Sequence, residues 1–140
     1  MHRGLLWAAA ALPVANVVHA LAPAADNQHE AVAGPIMGTL LTVGGIVAFA
    51  GLLRRRHWAP VLALVVGVGT LAGFALFHAL PVHTEATEPY WGEHGSATAG
   101  QVATLVVIVV VAVWLTVAAW AELRAGSGSE QRTLTPGSPG

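Results

Sequence analysis

The sequence predicts an all-α fold, a small polytopic transmembrane bundle of four helices with both termini cytoplasmic. Three observations carry that reading. Only 9% of the 140 residues are charged while 55% are apolar, whereas a soluble domain carries about 25% Asp, Glu, Lys and Arg. Four stretches free of those residues are close to or above the roughly 20 helical residues needed to cross a hydrocarbon core about 30 Å thick. The six basic residues, all Arg, gather toward one set of helix ends. The same composition narrows the function classes. A formal net charge of -1 argues against nucleic-acid binding, which normally shows a basic domain. With no Cys the chain has no disulfide framework, thiolate metal site or Cys nucleophile.

The first stretch, 4–22, is interrupted by Pro13, Asn16 and His19 and is the least apolar of the four. It can also be read as a secretory signal peptide, with Arg3 as the charged start and Ala20, Ala22 and Ala24 offering small-residue cleavage positions. The second stretch, 31–53, has Pro35 where the first turn of a helix needs no N–H donor. The third, 58–80, is entered by Pro60 and closed by Pro81. The fourth, 97–121, contains a β-branched run from Val102 to Val113 that would suggest a strand in water. In a bilayer an isolated strand leaves its backbone unsatisfied, so this run is expected to be helical. Residues 126–140, rich in Gly, Ser, Thr and Pro, have no apolar periodicity and read as a disordered cytoplasmic tail.

Arginine sets the expected orientation. Arg3 precedes the first stretch, Arg54, Arg55 and Arg56 fill the second connection, and Arg124 follows the fourth stretch. With four spans these fall on one side, which the positive-inside rule makes the cytoplasm. A plasma (inner) membrane of a bacterium is the expected location, since Arg without Lys and abundant Ala, Gly and Val suggest a high-GC genome.

Small residues suggest how the helices meet. Gly34 and Gly38, and Gly69 and Gly73, each stand four apart, the spacing that lets helices approach closely in lipid. His78 lies nine positions from Gly69, about half a turn of α-helix away. If His78 faces into the bundle, the Gly69/Gly73 face is therefore expected to meet lipid or a second copy. Either glycine pair could serve a homo-oligomer or another membrane protein. Thr39, Thr42, Gln101, Thr104 and Thr116 are expected to bond to their own helix or a neighbour.

Chemistry-bearing side chains gather toward the outer side. The connection 81–96 holds His83, Glu85, Glu88, Glu93 and His94, candidate ligands for a divalent metal with N/O preference. It also reads as an ordinary solvated loop with Tyr90 and Trp91 as interfacial anchors. His19 and His78 lie within the apolar stretches, each a few residues from an outer helix end and at matched depth. Such a pair in a four-helix bundle can hold a haem axially or a metal ion. Asn16, on the same face as His19, could orient it. The competing role is hydrogen bonding at the interface or between helices. Imidazoles within about 4 Å of each other, as two ligand bonds of about 2 Å require, would favour the cofactor.

No nucleotide loop or nucleophile elbow stands in the sequence. The leading expectation is a non-enzymatic accessory or structural membrane protein that acts through helix packing and its outer loop. The alternatives are a small metal or haem protein and an oligomeric transporter subunit.

Overall fold

The computed structural model describes residues 3–22, 33–79 and 97–133, with backbone alone at 33 and 127–133. Among these residues every regular element is helical: α1 (Arg3–Ala20), α2 (Ala33–Leu53), α3 (Ala59–Phe74), a π-helical turn (Ala75–Ala79) and α4 (Ala99–Thr133). The β-branched run of the fourth stretch lies within α4, as the bilayer argument requires. Three segments are long and apolar enough to cross a membrane: Gly34–Leu53, Ala59–Ala79 and Ala99–Gly126. The helix α1, with 18 residues, carries Arg3, Asn16 and His19, which lower its apolar character. It nevertheless contributes Leu5, Ala8, Ala9 and Leu12 to the fully buried core.

Each helix packs against its neighbours in a closed ring, α1 on α2, α2 on α3, α3 on α4 and α4 back on α1. In this arrangement α1 and α3 face each other across one diagonal. The buried positions follow heptad-like spacing, as helices packed side by side require. In α4 they are Gln101, Leu105, Ile108, Ala112, Leu115 and Ala119; in α1 Leu5, Ala8, Leu12 and Ala15 follow it, with Ala9 buried beside Ala8. The opposite faces are apolar too. Val106, Val110, Val113 and Val117 of α4 are exposed, as are Ile36, Leu40, Val43 and Val47 of α2. A helix apolar all the way round is suited to an interior or to a membrane. An outer surface of this kind would be an aggregation liability in water.

The closest approaches between helices include glycines outside the four-apart pairs. A Cβ placed on Gly67 would lie 2.5 Å from Thr116 Oγ1 and 3.2 Å from the Thr116 backbone nitrogen, so α3 and α4 touch there through backbone. Gly44 meets Val66 and Gly45 meets Pro13, while Gly51 lies under the Trp58 ring and Ala59. Gly69 faces Leu41 of α2 within the chain, and the nearest neighbour of Gly73 is Phe77 on the continuation of its own helix. The expectation that His78 inside would turn Gly69 outward therefore fails. It assumed an unbroken α-helix, but residues 75–79 form a π turn, which shifts the phase between the two. Around Gly34 and Gly38 a Cβ would meet open space.

The short link between α2 and α3 is closed by backbone bonds. Arg56 N donates to Gly51 O at 2.9 Å and Arg55 N donates to Leu52 O at 3.0 Å. These are the two bonds of a Schellman motif, whose C′ residue takes the left-handed conformation usually given to Gly. Here that residue is Arg55, with φ of 52°. At its far end α4 continues to Thr133, past the apolar run and into the region from 126 expected to be irregular. Local helix bonding persists through Glu122, Leu123, Arg124 and Ala125, all good helix formers, before Gly126 is reached.

Candidate functional site

Alternation of helix direction brings the C-terminal ends of α1 and of the α3 extension to the same end of the bundle as the start of α4. That end is opposite the Arg54–Arg56 turn. There the two membrane-depth imidazoles meet. The His19 and His78 ring centroids are 6.2 Å apart with planes at 75°, and both residues are half-buried. Their helices stand on the diagonal, so the contact reaches across the end of the bundle rather than along one helix–helix seam. On its other side His78 is 6.4 Å from the Phe74 ring.

The π turn is the local reason His78 is placed there. A π turn bonds i to i+5, inserting an extra residue and re-aiming the side chains that follow. Such turns are rare and occur frequently at functional sites. His78 is the fourth of the five residues from Ala75 to Ala79.

His19 is held by Thr104 of α4, with 2.8 Å between Nδ1 and Oγ1. Thr104 Oγ1 is also 2.9 Å from Gly100 O and 3.0 Å from Gln101 O. Which of the two donates across the His19–Thr104 contact is set by the imidazole tautomer. Orientation of the ring thus comes from a neighbouring helix and not, as the sequence suggested, from Asn16. Which residue of α4 lies opposite His19 depends on the register between two helices far apart in the chain, and no local spacing encodes it.

Thr104 sits in the first turns of α4, which are fixed by an arrangement the sequence reading missed. Thr98 N donates to Gln101 Oε1 at 2.9 Å, and Gln101 N donates to Thr98 Oγ1 at 3.2 Å. This is a reciprocal capping box. The signal was present as Thr98-Ala-Gly-Gln101 ahead of an apolar run. It gives Gln101, buried at 8% exposure, a role at the helix end.

Other threonine hydroxyls bond within their own helices. The hydroxyls of Thr39, Thr42, Thr70 and Thr116 donate to carbonyls one turn back, at 2.8, 2.7, 2.8 and 2.8 Å respectively. Beyond the Arg54–Arg56 turn, the Arg124 guanidinium lies 4.8 Å from the Trp120 ring centroid, a cation–π contact suited to a membrane interface.

The second candidate set, His83, Glu85, Glu88, Glu93 and His94, lies outside the described residues. Among the described residues no group of three or more His, Cys, Asp or Glu converges. The pair His19 and His78 is what the fold assembles. Their rings meet in a T-shaped, edge contact. Comparison with known proteins returned no matching family model, no matching curated protein and no matching solved structure.

Proposed function

We propose that this chain is a multi-pass protein of the bacterial plasma membrane, with both termini cytoplasmic, serving as a non-enzymatic accessory or structural component through its helix packing and outer connection. The observation that carries this reading is the exposed apolar surface. Valines of α4 and the Leu, Ile and Val of α2 cover the outside of the ring while Ala, Gly and Leu fill its interior. Lipid is the solvent in which both faces are satisfied, since it replaces water on the outside and leaves close packing to small residues on the inside.

The interior favours a packed component over a conduit. Among the described residues the buried polar side chains are Thr70 and Gln101. Thr70 donates to Val66 O, and Gln101 caps its own helix. A solute path would instead need polar groups lining the middle of the bundle. Association with another copy or another membrane protein would use the open faces at Gly34 and Gly38.

Reporter fusions test the topology. Alkaline phosphatase placed within 81–96 should be active and a fluorescent protein at the C-terminus should fluoresce. The reverse pattern would overturn the orientation, and recovery of the protein from the soluble fraction would overturn the membrane assignment.

A further inference from the structure

We propose that α1 seats one anionic phospholipid, its two acyl chains lying in grooves on either side of the helix and its phosphate at Arg3. The proposal rests on the membrane reading above but not on its orientation. Grooves of about 420 Å³ and 440 Å³ run along α1, one against Thr42, Ile46 and Phe49 of α2, the other against Thr104, Val107 and Val111 of α4. Ala10, Val14 and Val18 border both and form the ridge between them. Composition explains the hollows: residues 8–11 of α1 are all Ala, too short to fill the space beside the larger side chains of α2 and α4. The walls offer a solute little to bond, since Thr42 gives its hydroxyl to Gly38 O and Thr104 is engaged with His19.

Length and charge identify the occupant. From Trp7 to Val18 the helix rises about 16 Å, close to the roughly 15 Å of hydrocarbon in one leaflet. Arg3 stands four, seven and eleven positions before Trp7, Ala10 and Val14, so it continues the same face at the inner end of the ridge. It is exposed there, as are Arg54, Arg55, Arg56 and Arg124 at the same end. Among the residues described with side chains the one carboxylate is Glu122, and no Arg or Lys stands at the opposite end of the grooves. A molecule with two apolar chains of leaflet length and an anionic head matches this pattern in one orientation only. The guanidinium fork suits phosphate oxygens, and Trp7, which lines the groove against α4, stands one turn inside Arg3, where aromatic rings meet headgroups. Lipid supplies no hydrophobic drive for placing a chain in a groove, so selection has to come from the headgroup.

Full-length protein in detergent is mixed with phosphatidylglycerol, and separately with phosphatidylcholine of the same chains, and bound lipid is counted by native mass spectrometry. One phosphatidylglycerol should be retained per chain, at least about fivefold more strongly than phosphatidylcholine, and the preference should fall as salt is raised. Arg3→Gln should cut that retention about fivefold, the effect of one arginine near an anionic headgroup, and Arg3→Lys should recover most of it. Ala10→Phe fills the grooves beside the ridge and should cut retention with every arginine in place. Val47→Phe adds bulk on an exposed face of α2 outside the grooves and should not.

The unmutated chain gives an independent reading. In vesicles, phosphatidylglycerol with a photoreactive group on one acyl chain should label Ala10, Ile46 and Val107 in preference to Val47, Val113 and Val117. The proposal is overturned by equal retention of the two lipids, by labelling spread evenly over both sets, or by equal effects of Ala10→Phe and Val47→Phe. Displacement of the lipid by inorganic phosphate at equal concentration would overturn it in favour of a free anion. A dimer broken by Ala10→Phe would overturn it in favour of a second copy in the grooves. A reversed reporter topology would change none of these results, whereas their failure with protein still in the membrane fraction would leave the membrane reading standing.

Discussion

The two ends of the bundle are closed by different means. Where α2 turns into α3, the link is short and the backbone closes it, with Arg56 and Arg55 bonding back to Gly51 and Leu52 and Gly51 pressed beneath Trp58. At the opposite end the helices are joined through longer stretches of sequence, and side chains make the closure. His19 bonds to Thr104, the His19 ring meets His78, and Thr98 exchanges bonds with Gln101. A link that satisfies its own backbone has no need of polar side chains from elsewhere. An end held by side chains gathers imidazole, hydroxyl and amide groups from different helices.

Breaking a backbone contact should cost most. Gly67→Ala would force α3 away from Thr116 and Ala112 of α4, so unfolding in mixed detergent should show a loss of about 2–3 kcal/mol, the upper part of the usual overpacking range. Thr98→Ala removes the capping box and should lower stability by about 1 kcal/mol, with hydrogen exchange rising first in the opening turns of α4. At the basic end the sign reverses. Arg55→Gly relieves a left-handed Arg costing about 1–2 kcal/mol against glycine's own entropy cost of about 0.5–1 kcal/mol. A rise of roughly 0.5–1 kcal/mol in the same unfolding assay is therefore expected, and a fall would show that the Arg55 side chain contributes more than its backbone costs.

Smaller effects sharpen the contrast. Thr104→Val should cost about 0.6 kcal/mol in the same unfolding assay, the average for a hydrogen bond between helices in a membrane. Gly38→Ala should change the stability of the isolated chain by less than about 0.5 kcal/mol, since a Cβ there meets open space. A larger change that grows with protein concentration would instead mark that face as a contact between copies.

The helices were legible because apolar length is a strong signal. The second and third stretches, read as 31–53 and 58–80, correspond to helices at Ala33–Leu53 and, with the π turn, Ala59–Ala79. The valine run of α4 was readable only after lipid had been inferred as the solvent, because its local preference alone points to a strand. The His19 and His78 pair was legible from matched depth, a property of single helices. Its orientation was not, because Thr104 meets His19 through the register of two helices and the π turn has no local composition that announces it. Glycine spacing does not by itself say which glycines meet inside the chain, for a related reason. Gly34 and Gly38 form the more obvious motif, yet Gly67 makes the close contact, since the choice among glycines is set by which face each helix turns inward.

The bond between His19 and Thr104 joins residues 85 positions apart and lies on the seam where the first helix meets the last. During synthesis α1 is made early and must wait for α4 before that seam can close, whereas α2 and α3 can pair as soon as their short link is complete. Long-range contacts of this kind form late because a large loop must close first. The imidazole pair is therefore steadied only once all four helices have been made, and a ligand that needs it in its final geometry would bind finished molecules in preference to partly assembled ones.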